Sequence, residues 1–434
     1  MDSLLIVFIV IAILLVLIFM GAPIFLALGT AGMTGLFLTG GVRSLAYIPM
    51  VIYSHLDSFI LLAVPLFLML GQVLAKTDVG PDIYTAASKW LYRLPGGLSI
   101  ASIMACAIFG AMSGVSIAGA AAIGAVAIPE MTKRGYAPSL AAGSVAAAGA
   151  LAMLIPPSLL FILYGLVADV SVGKLFIGGI IPGIILALMM SIQVILTVLK
   201  NPKFAPMLRE KVSWKKRFVS LSKVWPTLIV IFGVLGTIYL GVATPTEAGA
   251  IGTGTAILLV ILVYRKFSWN VFSTILNATA RSTCAILLIY INAIIFTSFL
   301  SKIGAPEALT SFMISLDVPN WVTIVIAMFV VFILGMFVDG ATVVMVTAPL
   351  LLPIMLKMGY SPLWFGIILI INLEMAVITP PVGLNLYAIK SVAQDVPMKE
   401  ILRGALPFVI VEILCLILFI VFPEFALWLP GTMQ

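Results

Sequence analysis

Long runs of apolar residues, separated by short polar or basic stretches, follow one another along the whole chain. A helix needs about 20 predominantly apolar residues to cross the hydrocarbon core of a bilayer. The candidate spans on this criterion are residues 3–20, 22–40, 58–75, 138–170, 175–199, 225–243, 246–264, 276–300, 362–390 and 405–428. The pattern predicts an all-α polytopic membrane protein.

Two of these spans are longer than a single crossing requires, and each contains a double proline. The pair at 156–157 interrupts residues 138–170, and the pair at 380–381 interrupts residues 362–390. Proline removes a backbone N–H and clashes with the preceding turn, and lipid cannot satisfy the polar groups that are freed. We therefore expect two broken transmembrane helices whose breaks face protein, ions or water.

Two further segments are long enough to enter the membrane and return on the same side. Residues 97–130 are centred on GAMSGVSIAGAAAIG, and residues 320–355 are centred on GMFVDGATVVMVTAP. A patch of small residues interrupts each segment at a similar distance before a double proline, which favours a re-entrant helical hairpin. Small residues also let ordinary crossings pack closely, so a pair of such crossings is the alternative.

The two halves of the chain repeat one sequence pattern. Residues 128–158 and 352–382 align without a gap, and nine of 31 positions are identical. The matched positions are Pro129 and Pro353, Met131 and Met355, Lys133 and Lys357, Gly135 and Gly359, Tyr136 and Tyr360, Pro138 and Pro362, Ala152 and Ala376, Pro156 and Pro380, and Pro157 and Pro381. Two similar apolar halves, each with a broken helix, are typical of a secondary transporter built from inverted repeats.

Composition and charge narrow the class of protein. Of the 434 residues, 63% are hydrophobic and 9% are charged, and the mean hydropathy is +1.28, whereas a soluble domain has about 25% charged residues. The net charge of +7 does not indicate nucleic-acid binding, because eight Lys and Arg lie at 200–223, as a cytoplasmic loop requires. The N-terminal apolar run has no basic start and no cleavage site, so we expect a retained span.

Few residues offer catalytic or metal-cluster chemistry. His55 is the one histidine of the sequence, and Cys106, Cys284 and Cys415 lie in apolar runs without metal-ligand spacing. An intramembrane enzyme would need a catalytic constellation or a metal cluster, so we predict a transporter and not an enzyme. A passive channel is a further alternative, which saturable and Na⁺-dependent flux would exclude.

Basic residues predict the orientation, since they concentrate on the cytoplasmic side. The clusters expected there are Lys89 with Arg93, Lys133-Arg134, residues 200–223, Arg265-Lys266, and Lys399 with Arg403. One threading satisfies all of them, with both termini outside, the first hairpin opening to the cytoplasm and the second to the outside. The two halves are then antiparallel.

The same threading predicts a frame around a core. Its divisions are N-terminal scaffold helices at 1–80, a first repeat core at 81–200, a basic cytoplasmic loop at 201–224, scaffold helices of the second repeat at 225–319, the second hairpin and broken helix at 320–391, and a C-terminal scaffold helix at 392–434. The stretches 80–93 and 267–280 carry tryptophan beside polar residues. Each is either an interfacial brace or a connecting loop.

The hairpin tips and helix breaks are the candidate sites. Unwound carbonyl groups and hydroxyls suit Na⁺, and exposed helix N-termini attract anions. Each half can bring a tip against a break, which predicts two symmetric cation sites; in the alternative, a single Ser or Thr bonds its own helix. The tip residues are Ser113, Gly114, Ser116, Gly335, Asp339, Gly340 and Thr342, and the break residues are Pro156, Pro157, Ser158, Thr379, Pro380, Pro381, Gly383 and Asn385.

The acidic residues in apolar surroundings have several interpretations. Asp339 is either a ligand for a cation or proton or a helix cap at the second tip. Glu374 is a candidate for coupling or for holding the second break, and Glu412 is expected to pair with another chain or to lie near the interface. Glu247 follows a threonine at a helix start and is expected to be a cap. No arginine lies at a tip or break, so helix dipoles, hydroxyls, Asn385 and cations would hold an anionic substrate.

Five motifs carry a resemblance to a known family. They are GAMSG at 110–114, IPEMTKRGY at 128–136, LIPPS at 154–158, PTEAGAIG at 245–252 and TPPVGLN at 379–385. In sequence, order and spacing they resemble the large membrane subunit of TRAP transporters, the DctM-like family of the ion-transporter superfamily. The resemblance covers nearly the whole chain.

The resemblance implies an elevator-type importer in a bacterial or archaeal inner membrane. Its members use a Na⁺ gradient to take up organic acids such as C4-dicarboxylates, other carboxylates or sialic acid. The implied partners are a small four-helix membrane subunit, here expected as a separate chain, and a soluble periplasmic substrate-binding protein, besides membrane lipid. A Na⁺-coupled carboxylate carrier without a binding protein is the alternative.

The resemblance also implies site residues. The first Na⁺ site resembles one formed by Ser113, Ser116 and the backbone at Pro156, and the second one formed by Gly335, Ala376, Thr379 and the backbone at Val382. Substrate contacts are expected from Gly114, Ser158, Asp339, Gly340, Pro381, Gly383 and Asn385. Val115 stands where the family often has serine, and Ala376 where glycine is common.

Overall fold

The computed structural model describes residues 3–206, 212–265, 268–315 and 318–433, and within these ranges it contains helices and no strand. The α-helices are α1 Ser3–Phe19, α2 Ile24–Leu45, α3 Ile48–Leu56, α4 Ala63–Ala75, α5 Val79–Leu91, α6 Gly97–Ser113, α7 Ser116–Lys133, α8 Pro138–Ala150, α9 Leu159–Ala168, α10 Val172–Lys200, α11 Trp214–Leu221, α12 Trp225–Ile231, α13 Thr237–Tyr239, α14 Pro245–Leu262, α15 Trp269–Lys302, α16 Ala305–Ser315, α17 Asn320–Phe337, α18 Gly340–Lys357, α19 Pro362–Val377, α20 Leu384–Val392, α21 Met398–Val421 and α22 Glu424–Gly431.

Seven of the described helices are long and apolar enough to cross a membrane: α2, α10, α14, α15, α17, α18 and α21. Two bent pairs raise the number of candidate spans in the described ranges to nine. One pair bends by 64° between α3 and the segment Phe59–Ala75, and the other by 41° between α11 and the segment Trp225–Tyr239. The prediction of an all-α polytopic membrane protein is confirmed.

The first half contains a helical hairpin followed by an interrupted helix. Helices α6 and α7 pack against each other and are joined by two residues, Gly114 and Val115. Helix α8 tightens into a 3₁₀ turn at Leu151–Met153, and regular helix resumes only at α9. The interruption contains the first double proline, whose Pro156–Pro157 peptide bond is cis.

The second half has the same order of elements. Helices α17 and α18 are joined by Val338 and Asp339, and α19 is separated from α20 by residues 378–383. The second interruption contains the Pro380–Pro381 peptide bond, which is also cis. The predicted helix breaks at the two double prolines are therefore confirmed.

Close backbone contacts bring the helices of the two halves together. A methyl group on Gly32 of α2 would lie 2.8 Å from the backbone of Phe296 in α15. In the core, the Tyr164 hydroxyl of α9 donates to the Pro362 carbonyl of α19 at 2.6 Å, and Trp364 Nε1 donates to a carbonyl of α21 at 2.7 Å. The interrupted helices are thus fixed to one another and to α21.

Two helix boundaries differ from the sequence expectations. Residues 268–280 do not form a loop, because α15 is one continuous helix of 34 residues and this stretch contains no proline or glycine to stop it. The interfacial brace stays a prediction. The span 405–428 is two helices, because Pro423 cannot continue α21 and disfavours helical geometry at Phe422. The remaining residue of the stretch 267–280 lies outside the described ranges.

The expectation for Glu247 is confirmed. Its carboxylate accepts from the Thr244 backbone N–H at 2.8 Å, and its own N–H donates to the Thr244 hydroxyl at 3.3 Å. This reciprocal capping box begins α14 immediately before Pro245. Glu247 therefore has a local structural role that accounts for it without a ligand.

Candidate ion and substrate site

The first hairpin tip places a hydroxyl group in a buried position without a partner. Ser113 is the last residue of α6 and is 2% exposed, and its Oγ has no hydrogen-bond partner in the part of the chain that the structure describes. A buried hydroxyl without a hydrogen bond costs roughly 1–3 kcal/mol. Ser113 Oγ is therefore available to a ligand at the tip.

The first tip lies directly against the first break. Gly114 has a φ of 63°, a left-handed conformation that suits glycine, and a Cβ there would collide with the Pro157 carbonyl oxygen. The Leu159 backbone N–H, at the start of α9, points to the Gly114 carbonyl at 3.5 Å. On the other side, a methyl group on Gly71 of α4 would lie 3.1 Å from the Ser113 carbonyl. The tip is enclosed by the break and by α4.

The other predicted residues of the first site have definite positions. Ser116 begins α7 and is 8% exposed, and Pro156 lies in the interruption between the 3₁₀ turn and α9. The hydroxyl of Ser158 donates to the Met153 carbonyl. Ser158 therefore ties the two ends of the break together, and its oxygen still has lone pairs that can accept or coordinate.

The second tip meets the second break in the same manner. A methyl group on Gly335 of α17 would lie 2.7 Å from the Ala376 Cβ of α19. The Val382 backbone N–H donates to the Met336 carbonyl at 3.2 Å. Gly335, Ala376 and Val382, which were predicted to share a site, are thus brought together.

Two polar side chains of the second half are engaged locally. Asp339 caps α18, because its carboxylate accepts from the Thr342 N–H at 3.0 Å and from the Thr342 hydroxyl at 2.6 Å. Of the two interpretations of Asp339, the helix cap is the one seen in the structure. The hydroxyl of Thr379 donates to the Met375 carbonyl at 2.7 Å, so a cation could use only its oxygen lone pairs.

The two halves also contact each other near the tips and breaks. A methyl group on Gly340, the first residue of α18, would lie 3.2 Å from the Leu160 side chain in α9. Asn385 of α20 is fully buried, and its Nδ2 donates to the Ala146 carbonyl of α8 at 3.2 Å. Its Oδ1 has no hydrogen-bond partner. The second tip therefore contacts the first broken helix, and the helix after the second break contacts α8.

The remaining predicted substrate contacts lie at the start of α20. Gly383 has a φ of 61° and directly precedes the helix, while Pro381 is exposed. Four helix N-termini, those of α7, α9, α18 and α20, begin at the tips or just after the breaks. Free N–H groups at such ends carry partial positive charge and attract anions. Residues 113–116, 154–159, 335–342 and 378–385 contain no lysine or arginine.

A pair of buried carboxyl groups beside this region was only partly foreseen. Glu374 of α19 and Glu412 of α21 are both 0% exposed, and within the described ranges neither carboxyl has a hydrogen-bond partner. The two residues lie on helices that pack against each other, α19 and α21. Glu412 was expected to pair with another chain or to lie near the interface; it is instead enclosed by helices of this chain, because α21 packs against α8, α10 and α19.

Asn372 was missed by the sequence reading. It is 1% exposed, and its Nδ2 donates to the Met328 carbonyl of α17 at 2.9 Å while its Oδ1 has no partner. The available signal was an amide within an otherwise apolar run, one helical turn before Ala376. The bond fixes α19 to the first helix of the second hairpin.

The chain matches the model of the family described as Tripartite ATP-independent periplasmic transporter, DctM component, over residues 11–425. It is 33% identical over 397 residues to the C4-dicarboxylate TRAP transporter large permease protein DctM of Pseudomonas aeruginosa, covering 91% of each chain. It is 32% identical over 437 residues to the protein of the same name from Vibrio cholerae, covering 95% of each.

A solved structure gives the fold comparison. The YdaH transporter of Alcanivorax borkumensis superposes with a TM-score of 0.60 at 14% sequence identity, covering 88% of this chain and 90% of that one. At this identity the likeness concerns the fold alone. The family match and the DctM relatives show that this chain belongs to the DctM family, the large permease component of the tripartite ATP-independent periplasmic transporters, and is a membrane transport protein and not an enzyme.

Proposed function

We propose that this chain is the large membrane subunit of a tripartite, Na⁺-coupled, binding-protein-dependent importer of small organic acids. C4-dicarboxylates are the first candidates, because the DctM relatives from Pseudomonas aeruginosa and Vibrio cholerae carry that substrate in their names. The observation that carries the proposal is the meeting of two hairpin tips with two helix breaks, with the Ser113 hydroxyl buried and unpaired at the first.

The proposed architecture is a pair of inverted repeats. It is supported by the same order of hairpin and broken helix in both halves and by the nine identities between residues 128–158 and 352–382. A transporter of this kind alternates access by moving one bundle against another around a fixed site. We infer an elevator motion, in which the hairpins and broken helices slide together against the remaining helices.

Na⁺ is proposed as the co-transported ion. The first site would use Ser113, Ser116 and the backbone at Pro156, and the second would use Gly335, Ala376, Thr379 and the backbone at Val382. Hydroxyl and carbonyl oxygens are hard ligands, which suit a hard cation without a carboxylate. The tip-to-break contacts in each half support two sites, since each brings a hairpin end and an unwound segment within bonding distance.

The organic acid is proposed to bind between the two ion sites. The N-termini of α9 and α20 would attract its carboxylate, and Asn385 Nδ2, which has a second hydrogen besides the one donated to Ala146, would donate to it. Gly114, Ser158, Asp339, Gly340, Pro381 and Gly383 are the further expected contacts. The absence of lysine and arginine from the tips and breaks makes substrate binding depend on Na⁺ charge.

The proposed setting is the inner membrane of a bacterium, with both termini in the periplasm. The proposed partners are a small membrane subunit and a soluble substrate-binding protein; the word tripartite in the family name fits two further components. A large permease of this class receives substrate from the binding protein on the periplasmic side. The basic residues 200–223 support a cytoplasmic position for that loop.

The test is uptake of radiolabelled succinate into liposomes that contain this chain and the small membrane subunit. With an inward Na⁺ gradient and the binding protein outside, we expect saturable uptake, and with K⁺ in place of Na⁺ we expect almost none. Equal uptake without Na⁺ would contradict the coupling. Full-rate uptake without the binding protein would instead support the carrier alternative and remove the tripartite part of the proposal.

A further inference from the structure

An apolar cavity of about 680 Å³ lies between α5, α6, α10 and the bend from α11 to α12. Its lining includes Ile83, Trp90, Met104, Ile192 and Leu221. The one hydroxyl of the lining, on Ser191, already donates to the Ala187 carbonyl at 2.8 Å. The side chains of the lining are therefore apolar apart from the Ser191 hydroxyl and the Trp90 indole N–H, and the cavity volume is in the range of ligand-sized pockets.

A buried arginine stands beside this cavity. Arg217 of α11 is one helical turn before the lining residue Leu221, on the same face of the helix. It is 7% exposed, and its guanidinium carbon lies 4.8 Å from the Trp214 ring centre, 5.4 Å from that of Tyr92 and 6.0 Å from that of Trp90. Trp90 belongs both to this aromatic enclosure and to the cavity wall.

The hydrogen-bonding capacity of Arg217 is not used up. Among the described residues its Nε has no hydrogen-bond partner, and the Tyr92 hydroxyl lies within reach of its guanidinium. Nearby, Lys223 pairs with Asp82 at 3.8 Å, whereas no carboxylate of the described residues pairs with Arg217. Contact with ring faces leaves the in-plane N–H groups of a guanidinium free. A buried cation of this kind fits an anionic oxygen.

The surroundings are those of a membrane surface. Helix α11 exposes Trp214 and Phe218 together with Lys215 and Lys216, the pattern of a helix that lies in the interface. It belongs to the basic region expected on the cytoplasmic side, where the leaflet carries anionic lipid. An apolar cavity beside a cationic enclosure at a membrane surface matches a phospholipid. The acyl chain would lie in the cavity, and the phosphate would lie in the enclosure around Arg217.

We propose that this cavity binds an anionic phospholipid, with an acyl chain between α5, α6 and α10 and the phosphate held by the Arg217 guanidinium. The lipid bridges α11 to α6, the first helix of the first hairpin. Arg217 supplies the preference for a net negative headgroup, because a zwitterionic headgroup carries its own cation beside the phosphate. The cavity supplies affinity that is independent of charge.

The test measures lipid retention, and it needs no transport assay. The purified full-length chain, with its small subunit if the two co-purify, is exchanged into detergent with equal phosphatidylglycerol and phosphatidylcholine of the same chains, and native mass spectrometry counts bound lipid. We expect one retained phosphatidylglycerol. The substitution Arg217→Gln should lower the preference for phosphatidylglycerol about tenfold, and Ala87→Phe, which fills the cavity, should reduce retention of both lipids.

Lys215→Gln is the matched control, because Lys215 is an exposed cation on the same helix outside the aromatic enclosure. It should leave the preference unchanged. Equal retention of the two lipids by the unaltered chain would overturn the proposal, as would loss of the preference in Lys215→Gln to the same degree as in Arg217→Gln. If Arg217→Gln does not fold, the Ala87→Phe result and the unaltered chain decide, and unchanged retention in Ala87→Phe contradicts the cavity assignment.

Discussion

At the scale of single residues, burial separates structural polar groups from candidate ligands. Ser102 and Ser113 lie on the same helix and are both buried, but the Ser102 hydroxyl donates to the Leu98 carbonyl at 2.9 Å whereas Ser113 Oγ has no partner. At Ser102 a backbone carbonyl of the same helix satisfies the serine hydroxyl. Ser113 is the last residue of α6, where the helix meets the break, and its hydroxyl bonds no backbone carbonyl of the described residues.

The first prediction concerns Ser113→Ala. Loss of one oxygen ligand should raise the Na⁺ concentration for half-maximal uptake about tenfold, the factor that ~1.4 kcal/mol represents. The maximal rate at saturating Na⁺ should fall much less. The measurement is Na⁺-dependent succinate uptake in liposomes with the binding protein.

Ser102→Ala is the matched control for that substitution. It removes the same atom from the same helix, but the lost hydrogen bond is internal to α6. A Na⁺ response that stays unchanged in Ser113→Ala, or that changes equally in Ser102→Ala, would count against Ser113 as an ion ligand.

The second prediction concerns Glu412→Met. Glu412 is 0% exposed and its carboxyl has no hydrogen-bond partner, so an apolar side chain of similar length removes a desolvation cost of about 1–3 kcal/mol. We expect a higher midpoint of thermal unfolding in the same detergent. The control is Glu424→Met, which replaces an exposed glutamate at the start of α22 and should change the midpoint little. A lower midpoint for Glu412→Met would mean that a bound group stabilises the carboxyl.

At the scale of secondary-structure elements, the contact between tip and break is the feature on which the site depends. Gly114 permits this contact for two reasons. It adopts a left-handed φ, and without a Cβ it leaves room for the Pro157 carbonyl. The corresponding contact in the second half uses Gly335 against Ala376, with an ordinary helical glycine. The two halves therefore share the arrangement but differ in how glycine permits it.

The third prediction separates the backbone strain of an alanine at a left-handed φ from the steric collision of its Cβ with a neighbouring atom. Gly114→Ala adds both a strained φ, worth about 1–2 kcal/mol, and a collision with the first break, so uptake should be lost even where folded protein is recovered. Gly359→Ala is the control, because Gly359 has a φ of 84° with no atom within 4 Å of an added Cβ. It should lower the unfolding midpoint slightly and retain uptake. Similar uptake by both variants would contradict the close packing of the first tip.

The sequence predicted these elements well where a physical signal was local. The double prolines predicted the two breaks, because a residue without a backbone N–H interrupts a helix in any surroundings. The small residues predicted the tips. The capping function of Glu247 followed from its position three residues after Thr244. The same reasoning could not choose between a cap and a ligand for Asp339, since both use the same carboxylate.

The sequence failed where tertiary packing decides. The polar residues of 268–280 left a connecting loop as one alternative, but polar side chains on one face do not stop a helix, and α15 continues through them to Lys302. Glu412 looked interfacial because a charge in an apolar run is expensive, and only the neighbouring helices show that it is enclosed. The approach of Asn385 to Ala146 joins residues 239 positions apart, which no local pattern records.

At the scale of the whole molecule, close packing indicates which helices move together. A methyl group on Gly143 of α8 would collide with the backbone of Gly404 in α21, and one on Gly404 would collide with the Ser139 carbonyl. Helices in such close backbone contact cannot slide past each other without separating. The contact favours placing α21 with the broken helices in the proposed moving body, whereas the sequence assigned residues 392–434 to the scaffold; that division stays a prediction.

The proposed inverted orientation of the two halves makes a claim about matched positions. Lys133 and Lys357 occupy equivalent places in the repeat, at the ends of α7 and α18, and both are exposed. In an antiparallel arrangement they face opposite sides of the membrane although their local sequences are alike. The positive-inside tendency alone would place both on the cytoplasmic side, so the repeat and the charge rule disagree at Lys357.

The fourth prediction tests this disagreement with two variants, Lys133→Cys and Lys357→Cys. Each is made separately in a chain whose native cysteines are replaced, since the native Cys284 is exposed and would also react. A membrane-impermeant maleimide added to intact spheroplasts should label Lys357→Cys and should reach Lys133→Cys only after lysis. The two sites have the same residue type and similar exposure, so a difference in labelling reports sidedness and not reactivity. Labelling of both from one side would require parallel halves, and then two ion sites related by an inverted repeat could not exist.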